Sequence, residues 1–277
     1  MSQSVNFAPG AVSLRVKKPA QMIDFYRDAI GLSEIDSDAE STTLGVDHLP
    51  LVRLVSGAKQ FPPQRSTGLF HLAILLPSRQ DLAHWLQHFI SKNKRLDGAG
   101  DHLVSEALYL SDPEGNGIEM YSDRPRDSWT FDENGVQMAT LPVDIAGLLA
   151  DTPGTPFTGL PTGTTMGHIH LKANHLEKAI EFYRDLLGFD LMSRFPGAGF
   201  LSKNGYHHHI GVNIWQSRNG EIPPEDATGL AAASFVFGDR SAISKIAENL
   251  NSAGYPHEIR SDQLIVSDPA GNTLHLM

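Results

Sequence analysis

The hydrophobic pattern of the chain changes period in a fixed order. Short apolar or alternating runs at 12–16, 70–76 and 169–173 predict strands. Each gives way to a stretch with apolar residues every three or four positions, at 20–30, 79–91 and 176–187, which predicts helices. Gly31 follows the first stretch, where a helix-terminating glycine belongs. Further strand-like runs come next: up to 52–55, at 103–111 and 118–121, and up to Trp215. A last unit of the same kind runs from 231 to 277. The order is βαβββ, four times over. Helices among short strands, with no Gly-rich phosphate loop after a strand, predict an α+β fold and argue against a doubly wound nucleotide fold.

Two phrases show that the four units come from a duplication. Ile23-Asp24-Phe25-Tyr26-Arg27-Asp28 returns as Ile180-Glu181-Phe182-Tyr183-Arg184-Asp185, and Ser111-Asp112-Pro113-Glu114-Gly115-Asn116 as Ser267-Asp268-Pro269-Ala270-Gly271-Asn272. Tyr183 stands 157 residues after Tyr26, and Asp268 stands 156 after Asp112. Near-equal offsets mean tandem domains. The expected division is 1–125 and 164–277, two units each, with a Pro-, Gly- and Thr-rich linker at 126–163 that holds a short helix at 143–149.

Composition narrows the function classes. A net charge of −10 without a basic run argues against nucleic acid and anionic membranes. The absence of cysteine excludes disulfides and thiolate ligands. No leader is visible in residues 1–10, and no apolar stretch approaches the roughly 18 residues of a membrane span. A soluble cytoplasmic protein is expected.

Against that background three polar residues stand out in apolar strands. His71 and His168 open two of them, and Glu119 lies in a third, Gly117-Ile118-Glu119-Met120-Tyr121. Two His and one carboxylate with open coordination positions form the ligand set of non-heme Fe(II) sites. His170 competes with His168, because period two puts both on one side of the strand. His84, His88 and His175 lie on or before helices and are expected to be solvated.

The duplicated phrases resemble those of the vicinal oxygen chelate superfamily, which includes glyoxalase I, bleomycin-resistance proteins and extradiol dioxygenases. Met166-Gly167-His168-Ile169-His170-Leu171, Gly205-Tyr206-His207-His208-His209-Ile210-Gly211 and Glu106-Ala107-Leu108-Tyr109-Leu110-Ser111-Asp112-Pro113 extend the likeness to two-domain catechol 2,3-dioxygenases. The resemblance implies paired βαβββ units forming cupped mixed sheets, with ligands on first and last strands. At those positions units two and three offer His71, Glu119 and His168, whereas units one and four offer Ala11, Ala232 and His275. A ligand set therefore survives only if units two and three share one cup, across the halves. The other cup is expected to be metal-free.

The resemblance further implies an Fe(II) cofactor, with Mn(II) acceptable to the same donors, and metal–ligand distances of about 2.0–2.2 Å. It implies meta-cleavage of an aromatic diol with O₂, in a homo-oligomer. His209 is the expected acid/base, with His208 as the alternative. His207, His209, Gly211 and Asn213 alternate onto one strand face, and His208 points the other way. Tyr109, ten residues before Glu119, would hydrogen-bond the substrate oxygen. His102 and Asn213 are placed at the substrate, and Phe200 and Trp215 are assigned to core packing before an aromatic wall. The competing readings are a glyoxalase-like isomerase or lyase on Zn²⁺ or Ni²⁺, and a metal-free binder of aromatic drugs. The first would want a carboxylate near Asn213 as a fourth ligand.

Overall fold

A computed structural model describes residues 7–133 and 135–277; part of the stretch read for a leader, residues 1–6, lies outside them. Four βαβββ units are present, as the periodicities predict. They do not pair within the sequence halves. One eight-stranded sheet has the order His257–Arg260, Gln263–Ser267, Thr273–Leu276, Gly229–Phe237, Phe7–Val16, Leu49–Ser56, Ser41–Val46, Ser33–Ser37. The other has the order Asp190–Phe195, Ala198–Ser202, Ile210–Asn213, Thr165–Lys172, Gly68–Leu75, Gly117–Asp123, Ser105–Ser111, Gly98–Asp101. Units one and four build the first sheet, and units two and three the second. Each sheet is joined at its centre by an antiparallel pair of first strands: Phe7–Val16 with Gly229–Phe237, and Gly68–Leu75 with Thr165–Lys172.

Alternation divides the second sheet into two faces. Leu72, Ile74, Leu108, Leu110, Ile118, Met120, Ile169 and Leu171 join the main core. Ala73, Ala107 and Tyr121 form a separate small cluster with Tyr109 on the opposite face. The main core also takes apolar side chains of both sheets and of the helices.

The duplicated phrases meet each other. The first helix is shorter than its pattern suggests: Pro19–Phe25 is α-helical, and Tyr26–Ile30 widens into a π turn that ends at left-handed Gly31. Tyr26 in that turn is buried and donates to Asp112 Oδ2 at 3.1 Å. The second copy repeats this, with Tyr183 donating to Asp268 Oδ2 at 2.9 Å. Each bond ties a helix of one sheet's unit to a turn of the other's.

The 126–163 stretch is more than a tether. It contains a small hairpin, Phe131–Asp132 with Gly135–Val136, and a helix at Ile145–Ala150. His84 Nε2 meets the Thr155 carbonyl at 2.9 Å, and His88 stacks on Phe157 at 4.2 Å. These two histidines are half-buried clamps rather than solvated side chains; His175 is exposed, as expected. No helix among the described residues is long and apolar enough to cross a membrane.

Candidate metal centre

The site is built by register. Ala73 stands opposite His168 on one neighbouring strand and opposite Glu119 on the other. Its methyl group leaves room for both longer side chains to close over it. His71 lies two residues along, on the same face, opposite His170. A bulge at Gly167 sets the phase of His168. Only glycine fits there, because a Cβ on residue 167 would lie 1.8 Å from the Tyr121 hydroxyl oxygen.

The structure thus brings His71, Glu119 and His168 together. Glu119 Oε2 lies 3.0 Å from His71 Nε2 and 3.2 Å from His168 Nε2, and the two nitrogens are 3.3 Å apart. All three side chains are buried. Burial works against the Glu119 charge, but His168 and His71 outweigh it and hold the carboxyl well below its usual range. Burial pushes His168 down to about 4, against the pull of Glu119. Ionised carboxylate and neutral imidazole are the forms a divalent cation needs. Donors about 2.1 Å from a common ion stand about 3.0 Å apart on an octahedral face and about 3.4 Å apart on a tetrahedral one. The observed separations fall in that interval, so the donor set fits a metal. His170 stays outside this group: its Nε2 is bonded to Asn213 Nδ2 at 3.0 Å.

Above the donors lies a cavity of about 620 Å³, within the ordinary range for small-molecule sites. His71, Glu119, Tyr109, His102, His170 and His208 line its polar part. Tyr109 pairs across strands with Glu119 and meets His102 Nε2 at 2.6 Å. His102 Nδ1 donates to the Ala139 carbonyl at 2.7 Å, so in the uncharged ring Nε2 accepts the Tyr109 proton. Burial and the Glu119 charge raise the Tyr109 pKa well above its ordinary value.

Other expected residues are displaced. His209 turns away from the cavity: it stacks on Tyr206, abuts Phe7, and takes hydrogen bonds at Nδ1 from Ser202 and Lys203. His208 faces the cavity instead, its ring 4.1 Å from that of His168. The alternation expected over 207–213 fails because the strand starts only at Ile210, after a turn. Asn213 does not reach the cavity either. It is wholly buried, and Trp215 N–H donates to its Oδ1, which leaves Nδ2 to donate to His170. Phe200 and Trp215 form cavity wall rather than core, and Trp215 is 51% exposed.

Phe70 and Phe195 complete that wall and went unread in the sequence. Phe70 is the extra residue of a second bulge, so it faces the cavity beside its neighbour His71. Its aromatic character next to a candidate ligand was the available signal. Ala139 and Met138, from the stretch read as a linker, close another side. In the first sheet His275 is half-buried near Arg53. No second group of three potential ligands occurs among the described residues.

The chain is similar in sequence and fold to known proteins. A family model described as Glyoxalase/Bleomycin resistance protein/Dioxygenase superfamily matches residues 8–120 and 165–276. Over 266 residues the chain is 42% identical to Catechol-2,3-dioxygenase of Bacillus subtilis (strain 168), covering 94% of this chain and 93% of that protein. A candidate dioxygenase of Bacillus subtilis has a similar fold, with a TM-score of 0.67 and 14% identity over 97% of this chain and 84% of its own. Glyoxalase I of Zea mays does too, with a TM-score of 0.58 and 16% identity over 98% of this chain and 92% of its own. The two halves matched by the family model, together with the sheets they form, make the chain a member of the glyoxalase/bleomycin resistance protein/dioxygenase superfamily.

Proposed function

We propose that the chain is an Fe(II)-dependent extradiol dioxygenase that opens the ring of catechol or a substituted catechol beside its two hydroxyls. The convergence of His71, Glu119 and His168 under an aromatic-walled cavity carries this reading. The 42% identity to Catechol-2,3-dioxygenase gives it direction. Those three residues would hold the iron, which when bound would supply Lewis acidity toward the diol oxygens and a redox centre for O₂. Phe70, Phe200 and Trp215 fix the ring plane and keep water from the reacting carbons. Tyr109, its proton directed to His102, offers an oxygen lone pair to a ring hydroxyl.

His208 is the acid/base. Asp123 accepts from His207 Nε2, so His207 Nδ1 accepts from His208 Nδ1 at 2.8 Å. His208 Nε2 is then left as a base to take a hydroxyl proton from the diol and hold it for return to the product. The product keeps both oxygen atoms of O₂. A glyoxalase-type isomerase would use a further carboxylate, and the residue at that place is the buried amide Asn213.

Protein loaded with Fe(II) without air, then given catechol and O₂, should form the yellow ring-opened semialdehyde. His71→Ala and His168→Ala should lose both product and stoichiometric iron. Stoichiometric iron with no product from any simple catechol would sink the reading.

A further inference from the structure

Lys172 stands apart from the other polar side chains of the cavity. It ends the strand Thr165–Lys172 and continues the stripe of His168 and His170 at period two. It lines the same cavity as Phe70, His170 and Trp215. Its cross-strand neighbours are Gly68, which has no side chain to cover it, and Asn213, whose amide is bonded to His170 and Trp215. Among the described residues its ammonium has neither hydrogen bond nor ion pair. Burial lowers its pKa, and no carboxylate offsets that. The ammonium is reached by water in the open cavity, so a ligand that displaces that water has to supply the counter-charge.

The direction of that ligand follows from the surrounding charges. Lys172 also borders a smaller cavity, of about 280 Å³. There Arg15 is spent on the carbonyls of Ala227 and Leu230, with Glu225 beside it, and Glu114 accepts from the amides of Lys17 and Lys18. Two carboxylates make that side unfavourable for an anion. On the larger cavity's rim, Asp97 is tied to Ser111 at 2.7 Å. Lys172 stands four positions after His168 and two after His170, which faces His71, so it enters the cavity roughly 7–13 Å along the strand from the donors at about 3.3 Å per residue. That offset suits a group on the same molecule away from the ring oxygens held at the donor cluster.

We propose that Lys172 binds a carboxylate on the substrate, carried on the ring or on a short arm away from the two hydroxyls. The substrate class is then acidic ortho-diols rather than plain catechol, an assignment that rests on the ring-cleaving reading above. In a chain with net charge −10, an uncompensated lysine in the cavity also offsets general repulsion of such a substrate.

The test compares catechol with dihydroxyphenylacetate bearing adjacent hydroxyls, in iron-loaded wild type, Lys172→Met and Lys172→Arg. The wild type should favour the acid. Lys172→Met should lower the acid-to-catechol ratio of kcat/KM by about 10- to 100-fold, the worth of a hydrogen bond to a charged group. Lys172→Arg should restore most of it. A wild type that opens both diols, with a ratio unmoved in Lys172→Met, overturns this proposal alone. A wild type that opens neither overturns the ring-cleaving reading and this one with it.

Discussion

His208 and His209 are adjacent in sequence and opposite in surroundings. Replacing His208 by Gln should lower kcat by about 100- to 10,000-fold, the usual worth of a positioned acid/base, with iron content retained. His209 gives a pH prediction. Burial holds it neutral in the fold, with its pKa down at about 3 against the ordinary 6.5. The unfolded chain therefore binds this proton first on acidification. The stability His209 lends is complete above pH 6.5 and is lost as pH falls from there toward about 3. Urea titrations of the metal-free protein should show a weaker decline across that window in His209→Gln. The metal donors were legible in the sequence because charged or polar types stood at apolar strand positions. The choice between His208 and His209 was not, since it depends on where a turn ends and a strand begins.

At the scale of the strand, bulges decide which side chains meet. Gly167→Ala should destabilise by about 1–3 kcal/mol, the cost of overpacking, because its methyl group would strike Tyr121. Tyr121→Phe removes the nearest clashing atom, so the double variant should recover part of that loss in a thermal unfolding cycle. Full additivity of the two changes would count against the contact. The βαβββ order was readable because each element has its own hydrophobic period. The bulges at Gly167 and Phe70 were not, since one extra residue in a strand leaves no periodic mark. That is why Phe70 escaped notice while His71 beside it did not.

For the whole molecule, the sequence halves and the sheets are different partitions. The residue types at the ligand positions that the resemblance implies required units two and three to share a sheet, and they do. The part played by 126–163 could not be foreseen, because the carbonyl of Ala139 that orients His102 carries no sequence signal. Chains cut between Asp151 and Gly154 and expressed singly should bind no stoichiometric iron, since one half holds His71 and Glu119 and the other His168. Mixing the halves should restore iron binding; a single half that takes up the metal would contradict the shared site. The same interleaving has a consequence during translation. Phe7 pairs with Phe237, and at about 5–20 residues per second the ribosome delivers that partner roughly 10–50 s later. The nascent chain therefore carries an open sheet edge for most of its synthesis, and its exposure to chaperones and to self-association is settled before the last strand emerges.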